Sequence, residues 1–172
     1  MSAQSSGPAL SVTTLFAERD MRRRRDSEAD QQLQRRREEE LADFRRRLDN
    51  FQLTDDVITS CLDKVKRVFE LGENELMITS FPSAFCTDDG RMIINSGAPP
   101  INKLTDEELA ALPDEPEWLA TMPRGVRKVY DYWKDNLQPG GFEFTARIIN
   151  YPGGKPGDVG LFFSWPKSTL DA

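Results

Sequence analysis

Apolar residues in the first third of the chain recur at helical spacing. Four of them follow one another at steps of three, four and three residues: Leu41, Phe44, Leu48 and Phe51. This is the spacing of a heptad seam, and the flanking Arg, Glu, Gln and Ala residues favour helix. Upstream, the same register places Gln34 and Arg37 at core positions, so the seam is short. We predict a charged helix over residues 27–51 with a short coiled-coil seam, after a disordered tail over residues 1–26.

The seam has two interpretations, and the sequence leaves both open. The last turns of the helix can dock on the domain that follows, or two copies of the chain can pair along the seam. In both cases the apolar side chains leave water, which stabilises the contact.

A second amphipathic helix follows the seam. Thr54 is an N-cap candidate, and Asp55 and Asp56 place negative charge in the first turn, where it complements the helix dipole. Apolar residues then recur at i, i+3 and i+4 positions: Val57, Ile58, Cys61, Leu62, Val65, Val68 and Phe69. Gly72 predicts the helix end. Because the apolar stripe is wide, we expect this helix to cover a sheet.

From Glu75 the apolar period changes to two, which predicts a strand that ends before Pro82. Two short runs, 84–87 and 91–94, then flank the turn sequence Asp-Asp-Gly at 88–90. Glycine supplies the positive φ that closes a bulged hairpin, so we predict a β-hairpin here.

Helical signals return after this predicted hairpin. Thr105 and Glu108 form a capping box that predicts a short helix through Leu112, and Trp118 and Leu119 can share one turn. A further amphipathic helix is indicated by apolar residues at helical spacing: Val126, Val129, Tyr130, Trp133 and Leu137.

Two alternating segments, 142–148 and 159–165, enclose a loop rich in glycine and proline and predict a second hairpin with one buried face. The whole order is helix, two or three strands, helices and two strands. This order predicts an α+β domain with an antiparallel sheet over residues 52–172. The same element order resembles that of small PAS and profilin domains, which implies a sensor or scaffold fold.

Charge separates the two parts of the chain. From Glu18 to Asn50 there are 11 basic and 10 acidic residues, a net of +1, whereas the remainder has 12 basic and 19 acidic residues, a net of −7. Four consecutive arginines stand among several acids in the first part: Arg22, Arg23, Arg24 and Arg25. These acids offset most of the arginines' field within a Debye length of about 8–10 Å. The balance favours a solvated, salt-bridged helix over a nucleic-acid-binding arm.

The sequence also predicts where the protein resides. No apolar run approaches the roughly 20 residues that span a bilayer. The first residues lack the basic segment followed by an apolar segment that marks a secretory signal. We expect a cytoplasmic protein that does not enter the membrane.

Residue composition restricts the chemistry. The sequence has no histidine, which removes the commonest general base and the commonest transition-metal ligand. Cys61 and Cys86 alone are too few for an ordinary zinc site, and we predict no metal and no cofactor. The densest group of reactive side chains lies on and beside the first predicted hairpin: Ser83, Cys86, Asp88 and Arg91.

Two further residues are candidates for a ligand site. Trp133 can line an apolar pocket, and Arg147 can anchor an acidic ligand from the polar face of a strand. The alternatives are a core ring for Trp133 and a cross-strand surface pair for Arg147.

We therefore predict a non-enzymatic interaction or regulatory protein. Its charged helix would mediate homodimerisation or docking to a protein partner, through the four seam residues and Arg22–Arg25. One alternative is a small-molecule sensing domain with a pocket near Trp133. A second alternative is an enzyme that uses Cys86 or the carboxylates of Asp88 and Asp89.

Overall fold

The protein is described here by a computed structural model that covers residues 9–95, 105–107 and 115–168. The chain forms two compact units, Met1–Phe44 and Arg45–Ala172. The predicted fold class is confirmed: a long N-terminal helix precedes further helices and a three-stranded antiparallel sheet.

Helix α1 spans Val12–Asp49 and is 38 residues long. It begins well before the predicted start at residue 27, so the prediction of a disordered tail is wrong from Val12 onward. The hydroxyl of Ser11 accepts a hydrogen bond from the Thr14 backbone N–H at 3.1 Å and thereby caps the first turn. The β-branched run Val-Thr-Thr that follows has low helix propensity, which concealed this start in the sequence.

Helix α2 spans Asp55–Glu70, as predicted. The Thr54 hydroxyl accepts a hydrogen bond from the Val57 N–H at 3.3 Å, which is the expected N-cap. Gly72 follows the helix at φ +84°, a left-handed conformation that glycine adopts without strain.

The sheet contains β1 (Glu75–Pro82), β2 (Glu143–Ile148) and β3 (Asp158–Ser164) in the order β1-β3-β2. Both neighbouring pairs are antiparallel, and the β2–β3 pair is the second predicted hairpin. Phe163 on the central strand lies opposite Leu76 on one side and Phe144 on the other. These apolar side chains share one face of the sheet.

The first predicted hairpin is wrong. Residues 83–85 form a 3₁₀ turn, and Arg91–Asn95 form a short helix, α3. The Asp88 carboxylate accepts hydrogen bonds from the backbone N–H groups of Gly90, at 3.0 Å, and Met92, at 2.8 Å. An aspartate that bonds forward in this way caps a helical turn, so the Asp-Asp-Gly sequence starts a helix here and does not close a hairpin.

The helical region between α3 and β2 agrees with the sequence where the structure describes it. Glu117–Thr121 form a 3₁₀ turn, and helix α4 spans Arg124–Tyr132 and continues as a π-turn over Trp133–Leu137. Of the predicted capping-box helix, only 105–107 are described, and Asp106 and Glu107 are helical there. The rest of that prediction lies outside the described residues.

The core of the second unit lies between α4 and the inner face of the sheet. Phe144 contacts Trp118, Tyr130, Trp133 and Phe163, with ring centroids 5.6–6.1 Å apart. Aromatic pairs at such offset geometries add to the stabilisation from burial.

Candidate functional site

The exposed part of α1 is the candidate functional surface. None of the 38 residues of this helix is buried, and all of them lie within the described segment 9–95. Most core-facing helices bury an apolar stripe, whereas a helix that is polar nearly all round bridges regions through solvent or relies on side-chain pairs along its surface. An exposed helix of this length therefore needs either such pairs or a partner.

The large apolar residues of α1 nevertheless share one side of the helix. At about 100° per residue, five of them fall within an arc of about 100°: Val12, Leu15, Phe16, Leu33 and Leu41. Phe16 is 48% exposed and Leu41 is 45% exposed. Met21 lies outside this arc. We call the five residues the α1 stripe.

The four predicted seam residues are divided between the two units. Leu41 and the half-buried Phe44 belong to the first unit, whereas Leu48 and Phe51 belong to the second. A side chain at Gly125 would overlap the Leu48 carbonyl oxygen and lie 2.8 Å from Phe51 Cβ. The end of the seam thus contacts the start of α4 in the same chain.

Two hydrogen bonds fix this contact at the end of the seam. The Asp49 carboxylate accepts a hydrogen bond from the Arg124 backbone N–H at 3.0 Å, and the Phe51 carbonyl accepts one from Lys128 Nζ at 2.8 Å. The first residue of α4 thereby receives its cap from the end of α1, since Pro123 offers no side-chain cap. Of the two interpretations of the seam, docking on the same chain applies to Leu48 and Phe51.

The sequence reasoning missed Gly125 and Asp49 at this contact. Gly125 lies in the first turn of a helix, where the low helix propensity of glycine signals a close approach by another segment. That signal was available in the sequence, but it does not identify which segment approaches.

The arginine tetrad does not form one basic face. Four consecutive residues of an α-helix project in four directions around its axis. Arg22, Arg23, Arg24 and Arg25 are all exposed on α1, and Asp20 and Asp26 flank them. A continuous basic stripe, which phosphate backbones need, is not assembled by these residues.

Cys86 is placed as a core residue. Its thiol is 2% exposed, and Sγ lies 3.8 Å from the Met122 sulfur. Burial, and next the negative charge of Asp88, raises the pKa of this thiol to about 11. The thiolate is the nucleophilic form, so this environment makes Cys86 a poor nucleophile at neutral pH.

The other members of the predicted reactive cluster do not converge on Cys86. The Ser83 hydroxyl donates a hydrogen bond to the Pro156 carbonyl at 3.2 Å, and Asp88 is engaged by the backbone of its own turn. Arg91 is exposed at the start of α3. The cluster therefore has no general base directed at the thiol.

Trp133 is a core ring and Arg147 forms a cross-strand surface pair, which are the alternatives to a ligand site for these two residues. The Trp133 indole N–H donates to the Phe142 carbonyl at 3.0 Å, and its ring lies among Tyr130 and Phe144 in the core. Arg147 donates two hydrogen bonds to Glu75, at 2.6 and 3.1 Å, and its guanidinium lies 3.7 Å from the ring centroid of Phe162. Arg147 thus reaches from β2 across β3 to β1.

Within residues 9–95, 105–107 and 115–168, no three acidic, cysteine or histidine side chains are grouped so that they could hold a metal ion. In the same part of the chain, no helix combines the length and the apolar character needed to cross a membrane. Comparison with protein families, with curated proteins and with solved structures finds no match for this chain.

Proposed function

We propose that this chain is a non-enzymatic interaction protein, cytoplasmic as the sequence suggests, and that the exposed part of α1 binds a protein partner. The observation that carries the proposal is the exposure of a 38-residue helix on which the five residues of the α1 stripe share one side. Burying that side against another surface would stabilise the complex by about 25 cal/mol for each Å² of apolar area removed from water.

The arrangement of the second unit supports this role for α1. Asp49 and Phe51 hold the end of the helix on α4 through two hydrogen bonds. A helix fixed at one end loses less conformational entropy when it binds than a free segment does. The second unit would then serve as an anchor for the binding helix.

The two alternative functions have less support. A small-molecule sensor would need space near Trp133, where Tyr130, Phe144 and the Phe142 carbonyl occupy the surroundings of the indole. An enzyme based on Cys86 would need an accessible thiolate, and burial disfavours that form.

Photo-crosslinking of the full chain in the cells that naturally produce it tests the proposal. A photoreactive amino acid replaces Leu33 on the α1 stripe, and in a matched control it replaces the exposed Lys155 in the β2–β3 loop. We expect discrete protein adducts at position 33 and none of comparable yield at position 155. Equal yields at the two positions, or no adduct at position 33, would contradict the proposal.

A further inference from the structure

We infer that the partner of α1 is a second copy of this chain, paired antiparallel so that Asp20 of each copy lies level with Arg37 of the other. The inference rests on the proposed function of α1 and specifies its partner. It is carried by the charge pattern along the side of the helix that bears the α1 stripe.

The seam register of Leu41 continues through the whole of α1, because the helix begins at Val12 and has no break. Upstream of Leu41, the positions that face a partner helix alternate at steps of four and three: Arg37, Gln34, Asp30, Ser27, Arg23, Asp20 and Phe16. The facing side is thus apolar at both ends and polar or charged between them.

A parallel, in-register pair is disfavoured by these positions. In that arrangement each facing residue meets its own copy. Asp20 would meet Asp20, Arg23 would meet Arg23, and Arg37 would meet Arg37. Like charges held together in a partly desolvated seam repel each other strongly, because the local dielectric is lower than that of water.

An antiparallel pair removes this conflict. With Asp20 opposite Arg37 of the second copy, the same spacing places Phe16 opposite Leu41, so an apolar layer follows directly on an ion pair. Toward the centre, Arg23 then faces Gln34 and Ser27 faces Asp30. The twofold axis repeats each of these layers, as an isologous interface requires.

A flanking pair adds to the same register. Arg19 precedes Asp20 on the helix, and Glu40 precedes Leu41. Arg19 and Glu40 therefore occupy the same heptad position, at the edge of the seam. In an antiparallel pair, residues at this position from the two helices lie beside each other, so Arg19 would meet Glu40 of the second copy. Opposite charges at such positions set the orientation and the partner of helical pairs.

Neighbouring antiparallel registers are worse. A shift by one heptad in one direction places Asp20 opposite Asp30. A shift in the other direction places Arg23 opposite Leu41, which buries a charge against an apolar side chain. Among these antiparallel registers, one both pairs Asp20 with Arg37 and places Phe16 opposite Leu41.

The residues that would form these layers are accessible in the single chain. Phe16 and Leu41 are about half exposed. Arg19 makes a long ion pair with Asp20, at 3.8 Å, and its guanidinium lies 4.8 Å from the Phe16 ring. Both contacts are at the surface, where such pairs contribute little to stability, so replacing them by contacts with a second copy has a small cost.

The test uses charge reversal in the purified full chain, with sedimentation equilibrium from about 1 μM to about 500 μM. For the wild type we expect an average mass that rises from 19.6 kDa toward twice that value. Asp20→Arg alone would place two arginines opposite each other, and Arg37→Glu alone would place two acids opposite each other. We expect each single variant to raise the dimer dissociation constant at least about tenfold.

The double variant Asp20→Arg/Arg37→Glu restores opposite charges across the antiparallel seam. We expect its dissociation constant to return to within about threefold of the wild type. Glu28→Arg and Arg35→Glu are matched controls, because they make the same changes in net charge at positions that point away from the seam. Circular dichroism of every variant checks that α1 remains helical.

Distances between spin labels test the orientation independently. Labels at Thr14→Cys and at Glu28→Cys, each on a Cys61→Ser background, lie at equivalent positions of the heptad. In the antiparallel pair, the two labels at position 28 lie at nearly the same height along the helices, whereas those at position 14 are separated by about 44 Å along the helices at about 1.5 Å per residue. A parallel pair gives short distances at both positions.

The outcomes separate this inference from the proposed function. A chain that stays monomeric at every concentration, a double variant no better than the single variants, or short distances at both labels would overturn the antiparallel pair. Adducts of position 33 with a different protein would then still support association through α1. The absence of any adduct at position 33 would instead remove the proposed function itself.

Discussion

The guanidinium of Arg147 lies over the ring of Phe162 and reaches the Glu75 carboxylate on the far strand. Phe162 is buried although its partners in the register, Met77 and Thr145, are exposed, and the arginine covers part of its ring. The hydrogen bond from Arg147, and to a lesser extent its charge, lowers the pKa of Glu75. One residue therefore both shields an aromatic ring and joins the two edge strands.

We expect Arg147→Ala to lower the free energy of unfolding by about 1–2 kcal/mol at pH 7, through loss of the ion pair and of the ring contact. Because the folded pKa of Glu75 is lowered, the stabilisation from its charge is present above the carboxyl's ordinary pKa and is lost as pH falls through the lowered value. Urea denaturation at several pH values should show the difference between wild type and variant shrinking below about pH 4.

Arg127→Ala is the control for this prediction. Arg127 also pairs with a carboxylate, Glu115, at 2.7 Å, and this pair is exposed to about the same extent as Arg147–Glu75. We expect a loss of at most about 0.5 kcal/mol there. An Arg147→Ala variant as stable as Arg127→Ala would contradict the prediction, because the ring contact and the cross-sheet pair would then add no more stability than an ordinary surface ion pair.

At the scale of elements, the contact between the end of α1 and α4 fixes the start of the second unit. The Leu48 carbonyl approaches Gly125 so closely that a Cβ atom there would overlap it. Asp49 caps the first N–H of α4. The close approach of the Leu48 carbonyl explains why a glycine occupies the first turn of this helix.

Gly125→Ala should therefore destabilise the protein by about 1–3 kcal/mol, although alanine is the better helix former. Thermal unfolding followed by circular dichroism measures the change. Gly140→Ala is a suitable comparison, because the nearest side chain to its Cβ would be Phe142 at 3.8 Å, an ordinary contact. If Gly125→Ala were as stable as Gly140→Ala, the end of α1 would not be held closely against α4.

The sequence predicted an element correctly where its apolar period and the residues at its ends indicated the same structure. In α2, the apolar stripe lies between an N-cap at Thr54 and a stop signal at Gly72. In the β2–β3 hairpin, alternating apolar segments lie on both sides of a loop. The first hairpin was wrong because Asp88 can either close a turn between strands or cap a helix, and local sequence does not distinguish the two.

The candidate site was predictable only in part, for a related reason. Heptad spacing identified Leu41 and Leu48 as apolar positions of a helix, but spacing does not reveal the surface that each one meets. The contact of Leu48 with Gly125 joins segments that are distant in sequence. Likewise, the burial of Cys86 beside Met122 depends on tertiary packing, so the reactive cluster could not be excluded in advance.

At the scale of the whole molecule, the exposed N-terminal helix and the rest of the chain differ in net charge. The segment from Glu18 to Asn50 has a net charge of +1 and the remainder has −7. The negative remainder gives two copies a mutual repulsion, which favours contact through the nearly neutral helix. An association that depends on ion pairs should weaken as salt is added, because salt screens exposed charges.

Hydrogen–deuterium exchange of the full chain at low and high protein concentration tests association through α1 most directly. Amides of an unpartnered helix open and exchange readily, whereas those in a paired helix are protected. We predict that protection of residues 12–40 rises with concentration while that of α2, α4 and the sheet stays constant. Protection of residues 12–40 that does not change with concentration, or a rise confined to the second unit, would contradict self-association through α1.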